Sequence, residues 1–126
     1  MNGDWFQLLR SMAESHLVFR DHAAAVRKRK GVKSVTHWSD LLPTSDQGVR
    51  FENYVSAEMT DGRAIDWRLE FVITPQDVGI ETAIEEISAS GENTTLENGE
   101  YQYSAPSACA AEAIDIVREL CRRCSW

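Results

Sequence analysis

Arg50–Thr74, RFENYVSAEMTDGRAIDWRLEFVIT, reads as two strands joined by a tight turn. Phe51, Val55 and Met59 alternate with Glu52, Tyr54 and Glu58. Past Asp61-Gly62, the residues Ile65, Trp67, Leu69, Phe71 and Ile73 alternate with Asp66, Arg68 and Glu70. Period-two alternation on both sides of an Asp-Gly step is the strongest short-range signature of a β-hairpin. One face of this hairpin is expected to be core. The other is mainly acidic and is the best functional clue in the chain.

Upstream, Asp4–Lys30 has the spacing of a long amphipathic helix, with Trp5, Leu8, Leu9, Met12, His16, Phe19, Ala23 and Val26 on one stripe. Asp4 suits its first turn, and Arg27-Lys28-Arg29-Lys30 complements the dipole at its C-terminus before Gly31. That role accounts for the basic run better than a nucleic-acid or lipid patch does. Gly31–Gly48 is the least regular portion: it has a short strand at Lys33–His37, and Trp38, Leu41 and Leu42 are expected to lid one edge of the core.

Downstream, Val78–Ile87 suits either a strand or a helix face, and its position between strand-like segments favours the strand. Thr94–Ser104 follows, with Asn98-Gly99 as a second tight hairpin or a bulge. Ala105-Pro106-Ser107 opens a final helix running to Cys124, with Ala110, Ala113, Ile114, Val117, Leu120, Cys121 and Cys124 as its apolar stripe. The expected architecture is one α+β domain over residues 1–126. It has two layers, an antiparallel meander of about four strands with the N-terminal and C-terminal helices on one face. The opposite face is left uncovered.

The chain of 126 residues carries a net charge of −7, and the charge is uneven. Met1–Val49 has 7 Lys+Arg against 5 Asp+Glu, Arg50–Glu100 has 3 against 12, and the remainder has 3 against 3. The middle segment is therefore the acidic one. A field of one sign steers cationic partners and repels nucleic acid, which argues against direct DNA or RNA binding through the sheet. No apolar run approaches the roughly 20 residues that cross a bilayer, and an acid stands where a signal peptide carries basic residues. Cytoplasmic residence with no membrane association is the expectation. Three cysteines crowded toward one end do not resemble a secreted disulfide framework.

Catalytic and metal-binding signatures are weak. Cys121 and Cys124 have redox-pair spacing, but they stand at the end of a helix, where the dipole disfavours a thiolate. No second pair completes a zinc site, so they read as small core or edge residues, and neither metal nor cofactor is expected. His16 sits on an apolar stripe, while His37, Ser39 and Asp40 have the residue types of a catalytic set without evidence of its geometry. The carboxylates remain. Glu52, Glu58, Asp66 and Glu70 are expected on the outer face, joined by Glu81, Glu85 or Glu86, Glu92, Glu97 and Glu100 from later strands. Tyr54 adds contact area, and a flat acidic face suits protein recognition better than catalysis.

The stretches Phe51-Glu52-Asn53-Tyr54, Trp67-Arg68-Leu69-Glu70-Phe71 and Gly79-Ile80-Glu81, followed by a terminal helix, resemble the TriTu-type immunity proteins of bacterial polymorphic-toxin and contact-dependent inhibition systems. The resemblance covers roughly Gly48–Cys121. It implies a non-enzymatic inhibitor, a monomer or weak dimer, that neutralises a cognate toxin domain, commonly a basic nuclease. The partner-binding residues would then be Glu52, Tyr54, Glu58, Asp66, Glu70, Glu81 and Glu85. Two rivals remain: a chaperone or adaptor for a secreted effector, using apolar grooves, and a small-ligand enzyme with a pocket near Trp38, His16 and Trp67.

Overall fold

A computed structural model of the chain describes residues 3–123. Helix α1 spans Gly3–Arg27. Strands β1 (Val32–Pro43), β2 (Val49–Met59), β3 (Ala64–Ile73), β4 (Val78–Ile87) and β5 (Asn93–Tyr103) follow, and helix α2 covers Pro106–Arg122. The strands form one antiparallel sheet in sequence order, β1-β2-β3-β4-β5. Helix α1 packs over β1 and β2, α2 over β3 to β5, and the helices pack against each other. The fold is the expected α+β meander with both helices on one face, built on five strands instead of four.

The Arg50–Thr74 hairpin forms as its alternation requires. Gly62 supplies the positive φ of 93° in its turn. Val55, Met59, Ile65, Trp67, Leu69 and Phe71 are buried under the helices. Val78–Ile87 is a strand. The irregularity near Asn98-Gly99 is a bulge and not a hairpin, and it lies slightly upstream. Glu97 pairs with Ile84 and Thr95 with Glu85, which leaves Leu96 as the extra residue.

The additional strand comes from Val32–Pro43, where only a short strand was expected. Its helix-facing positions include His37 and Ser39, and its solvent-facing positions include Trp38 and Leu42, so apolar and polar residues do not sort by parity. Trp38 therefore does not lid the core. It lies on the face away from the helices and is 43% exposed. The pocket imagined between Trp38, His16 and Trp67 cannot form, because Trp38 and Trp67 are on opposite sides of the sheet and Trp67 is fully buried.

Helix α1 also differs in detail from its expected stripe. Leu8, Met12, Phe19, Ala23 and Val26 are buried, while Trp5 and Leu9 are exposed and Ser11, Ser15 and His22 occupy buried positions. Ser11 and Ser15 are accommodated because α1 has two neighbours that offer hydrogen bonds, whereas the buried His22 Nε2 has no hydrogen-bond partner. Ser11 donates to the Ala110 carbonyl of α2 at 3.3 Å. Asn53, fully buried on β2, donates to Ser15 at 2.9 Å and accepts from Ser39 at 2.6 Å. Because the Ser39 hydroxyl proton is used in that bond, His16 Nδ1 is the donor to Ser39 at 2.6 Å. This chain of bonds ties α1 to both β1 and β2.

His22 packs edge-on against Trp67 with ring centroids 4.5 Å apart. Burial, with a smaller effect from Arg29, pushes its pKa down to about 4. The folded state thus holds His22 neutral while the unfolded chain takes up a proton near pH 6.5. The stability tied to this site is fully present above pH 6.5 and is lost as pH falls toward 4, by at most about 3 kcal/mol. His22→Phe should flatten most of this dependence in urea unfolding curves collected from pH 7 to pH 4. Equal pH slopes in the two proteins would exclude His22 as the titrating group.

Candidate functional site

Antiparallel register turns the alternation of each strand into rows that cross the uncovered face. One row consists entirely of carboxylates: Asp40 lies opposite Glu52, Glu52 opposite Glu70, Glu70 opposite Glu81, and Glu81 opposite Glu100. Each strand contributes one. With neighbouring strands about 4.8 Å apart, the row is roughly 19 Å long. Next to it run Trp38, Tyr54, Arg68, Ala83 and Asn98, and beyond these Thr36, Ser56, Asp66, Glu85 and Thr95.

Like charges directly opposite one another destabilise a sheet. Two guanidiniums reduce that cost at the centre of the row. Arg50 binds Glu70 and, at 2.9 Å, Glu81. Arg68 approaches Glu70 at 3.5 Å and Glu85 at 3.6 Å from the other side. Glu70 is consequently covered, with only 7% of its surface exposed. Toward the β1 edge the compensation weakens. Burial, then the proximity of Glu70, pushes the Glu52 carboxyl above the usual carboxylate range. Asp40 accepts the Leu41 backbone N–H at 2.9 Å.

All seven sequence-predicted contact residues lie on the uncovered face, in different environments. Glu52, Glu81 and Glu85 are half-buried and line its middle. Glu58 is exposed at one end, beside Lys33 at 3.7 Å and Ser34 at 3.2 Å. Asp66 is 9% exposed and accepts from Tyr54 and, at 2.6 Å, from Ser56. Asp66 and Glu70 thus shape the face from beneath and do not present free oxygens to a partner. The choice between Glu85 and Glu86 is resolved by the pairing of β4 with β3: Glu85 lies opposite Asp66 and points outward, while Glu86 lies opposite Ile65 and pairs with Arg63 at 3.0 Å. Glu97 faces the helix side, 3.7 Å from Arg123. Glu92 is exposed in the β4–β5 connection.

Trp38 and Asp40 join the face without having been expected there. The signal that would have placed them is the parity of β1, which becomes visible once Trp38 is paired with Tyr54. The two rings stack with centroids 4.0 Å apart and an interplanar angle of 29°. The phenol of Tyr54 is held protonated by burial and by donation to Asp66. Further along the face, the small side chain of Ala83 leaves a hollow of about 360 Å³ rimmed by Arg68, Glu81, Glu85, Asn98 and Glu100.

The residue types that suggested catalysis are not assembled. His37 faces the helices and Asp40 the opposite side, while Ser39 is engaged with His16 and Asn53. Cys109 and Cys121 have their thiol pKa values pushed up to about 12, chiefly by burial, which keeps both protonated. Cys124 lies outside the described residues. Among the described residues no group of three or more His, Cys, Asp or Glu side chains could hold a metal ion, and no helix is long and apolar enough to cross a membrane.

Comparison of the chain with family models, curated proteins and solved structures gives no match. The site is therefore interpreted from its own geometry. If the carboxylate row is a stability cost, Glu52→Gln should stabilise the protein by about 0.5 kcal/mol in low-salt urea unfolding, with the gain shrinking as salt is added. A destabilised Glu52→Gln variant would mean that the carboxylate contributes favourably to the fold.

Proposed function

We propose that this protein is a cytoplasmic, non-enzymatic immunity protein whose uncovered sheet face binds and neutralises a cationic toxin domain. The observation that supports this reading best is the carboxylate row, one residue from each of five strands in direct opposition. Nothing in the packing of the sheet on its helices calls for that row, and like-charge opposition weakens the sheet that carries it. Local rules broken at a cost in stability are characteristic of binding and catalytic sites. The open shape and internal ion pairing of the face suit a protein partner, for which matched charge gives orientation and fast association. A basic nuclease domain fits this chemistry, since a surface built to hold phosphates is complementary to a line of carboxylates.

A second reading is favoured by the exposure of Phe6, Leu9 and Leu41, apolar residues of α1 and β1 away from the carboxylate row. Such a surface suits an effector chaperone or adaptor that holds an apolar segment of a secreted protein.

The two are separated by co-expressing the chain with the C-terminal domain of any large toxin found encoded beside its gene, or mixing it with a purified basic nuclease domain, and measuring complex formation. Glu52→Gln, Glu81→Gln and Glu100→Gln together should weaken binding at least tenfold. Binding should also weaken in 1 M salt, where the screening length is about 3 Å. Binding that survives the triple substitution but fails with Phe6→Asp and Leu9→Asp would overturn the acidic-face assignment and support the chaperone. Glu70 is unsuited to this experiment because its loss would leave Arg50 and Arg68 without their shared partner.

A further inference from the structure

On the reading that the uncovered face binds a cationic protein, we propose that the Trp38–Tyr54 stack is its anchor. The partner group it takes is an arginine side chain, with the guanidinium lying on the free face of Trp38 and reaching Asp40 and Glu52. The placement follows from where β1 sits in the sheet. Tyr54 covers one face of the Trp38 ring from β2, and because β1 is the edge strand no further strand covers the other. An indole left 43% exposed on a polar surface is the kind of large, amphipathic side chain on which binding energy concentrates.

The platform is preorganised. Tyr54 is fixed by its bond to Asp66, and Asp66 is fixed by Ser56, so the indole rests on a ring that is itself immobilised. Less side-chain freedom is then lost on binding. The charges lie within reach. Asp40 and Glu52 form the cross-strand pair next to Trp38 and Tyr54 on the same face, two residues or about 7 Å along the strands. Asp40 is oriented by the Leu41 N–H. The cations of the sheet are committed farther in, with Arg50 and Arg68 converging on Glu70, so the β1 end of the row is where a positive charge from outside would be best accommodated.

Arginine fits this arrangement better than lysine. Its planar, weakly hydrated guanidinium stacks on an aromatic face while its edge donates to carboxylates, whereas an ammonium is a compact and strongly hydrated charge.

The test titrates the full chain with end-blocked peptides of alternating glycine and arginine, and with their lysine and citrulline counterparts, using calorimetry. The arginine peptide should bind roughly fivefold more tightly than the lysine peptide, and the citrulline peptide should show little binding. Trp38→Ala should abolish the preference for arginine, and Trp38→Phe should retain part of it. Circular dichroism should confirm that both variants are folded, as expected for an exposed side chain. Equal affinity for arginine and lysine peptides with no effect of Trp38→Ala would overturn the anchor while leaving the acidic face as a binding surface. Failure of all the peptides to bind would also overturn it. Binding unchanged by the Glu52, Glu81 and Glu100 triple substitution would count against the acidic face itself.

Discussion

Strand β3 sets the constraint under which the rest of the molecule is arranged. It lies at the centre of the sheet, with Trp67, Leu69 and Phe71 buried under the helices and Asp66, Arg68 and Glu70 on the opposite side. A slip of one residue in its pairing would exchange those two sets, bringing three charges beneath the helices and three large apolar groups into water. Register is therefore strongly specified at β3 and transmitted outward through β2 and β4. The alignment of carboxylates on the far side is a consequence of that specification, because each strand must place its glutamate or aspartate where the core residues beside it dictate.

The same constraint explains why the row can exist. In a loosely specified sheet, opposed carboxylates would be relieved by a shift in pairing. Here relief by slippage is closed off by the core, and the repulsion is met in place by Arg50 and Arg68. Their attachment to Glu70 leaves the interior of the row compensated and its β1 end less so. The electrostatic character of the face is therefore graded across the sheet, a property that total charge alone does not reveal.

Much of this was legible in the sequence where alternation was clean. The β2–β3 hairpin, the terminal helices and the outward placement of Glu52, Glu58, Asp66 and Glu70 follow from period two or from helical spacing combined with turn residues, whereas β4 was decided by its position between strands and left Glu85 and Glu86 as alternatives. What was not legible lay where a buried partner changed the meaning of a polar residue. Asn53, Ser15, Ser39 and His16 satisfy one another between α1 and the sheet, so polar side chains occupy inward positions in three elements. In β1 this erased the contrast that marks a strand, and the whole segment read as irregular. Alignment of the carboxylates into one row was also hidden, since it depends on the registers of all four strand pairs, including the bulge at Leu96.

For the proposed recognition, the consequence is that β1 would have a role its sequence disguises. It is the edge strand, and two of its backbone groups are already engaged, the Val35 carbonyl by Arg27 at 3.3 Å and the Leu41 N–H by Asp40 at 2.9 Å. Side chains of this kind blunt an edge against indiscriminate strand pairing. With backbone pairing partly occupied, what β1 offers a partner is mainly its outward side chains, Trp38 and Asp40. These stand at the end of the carboxylate row where internal compensation is weakest. Protection of the edge and exposure of the aromatic–acidic pair are thus two results of one arrangement, which on the proposed reading would direct a partner toward the face of the sheet and away from its rim.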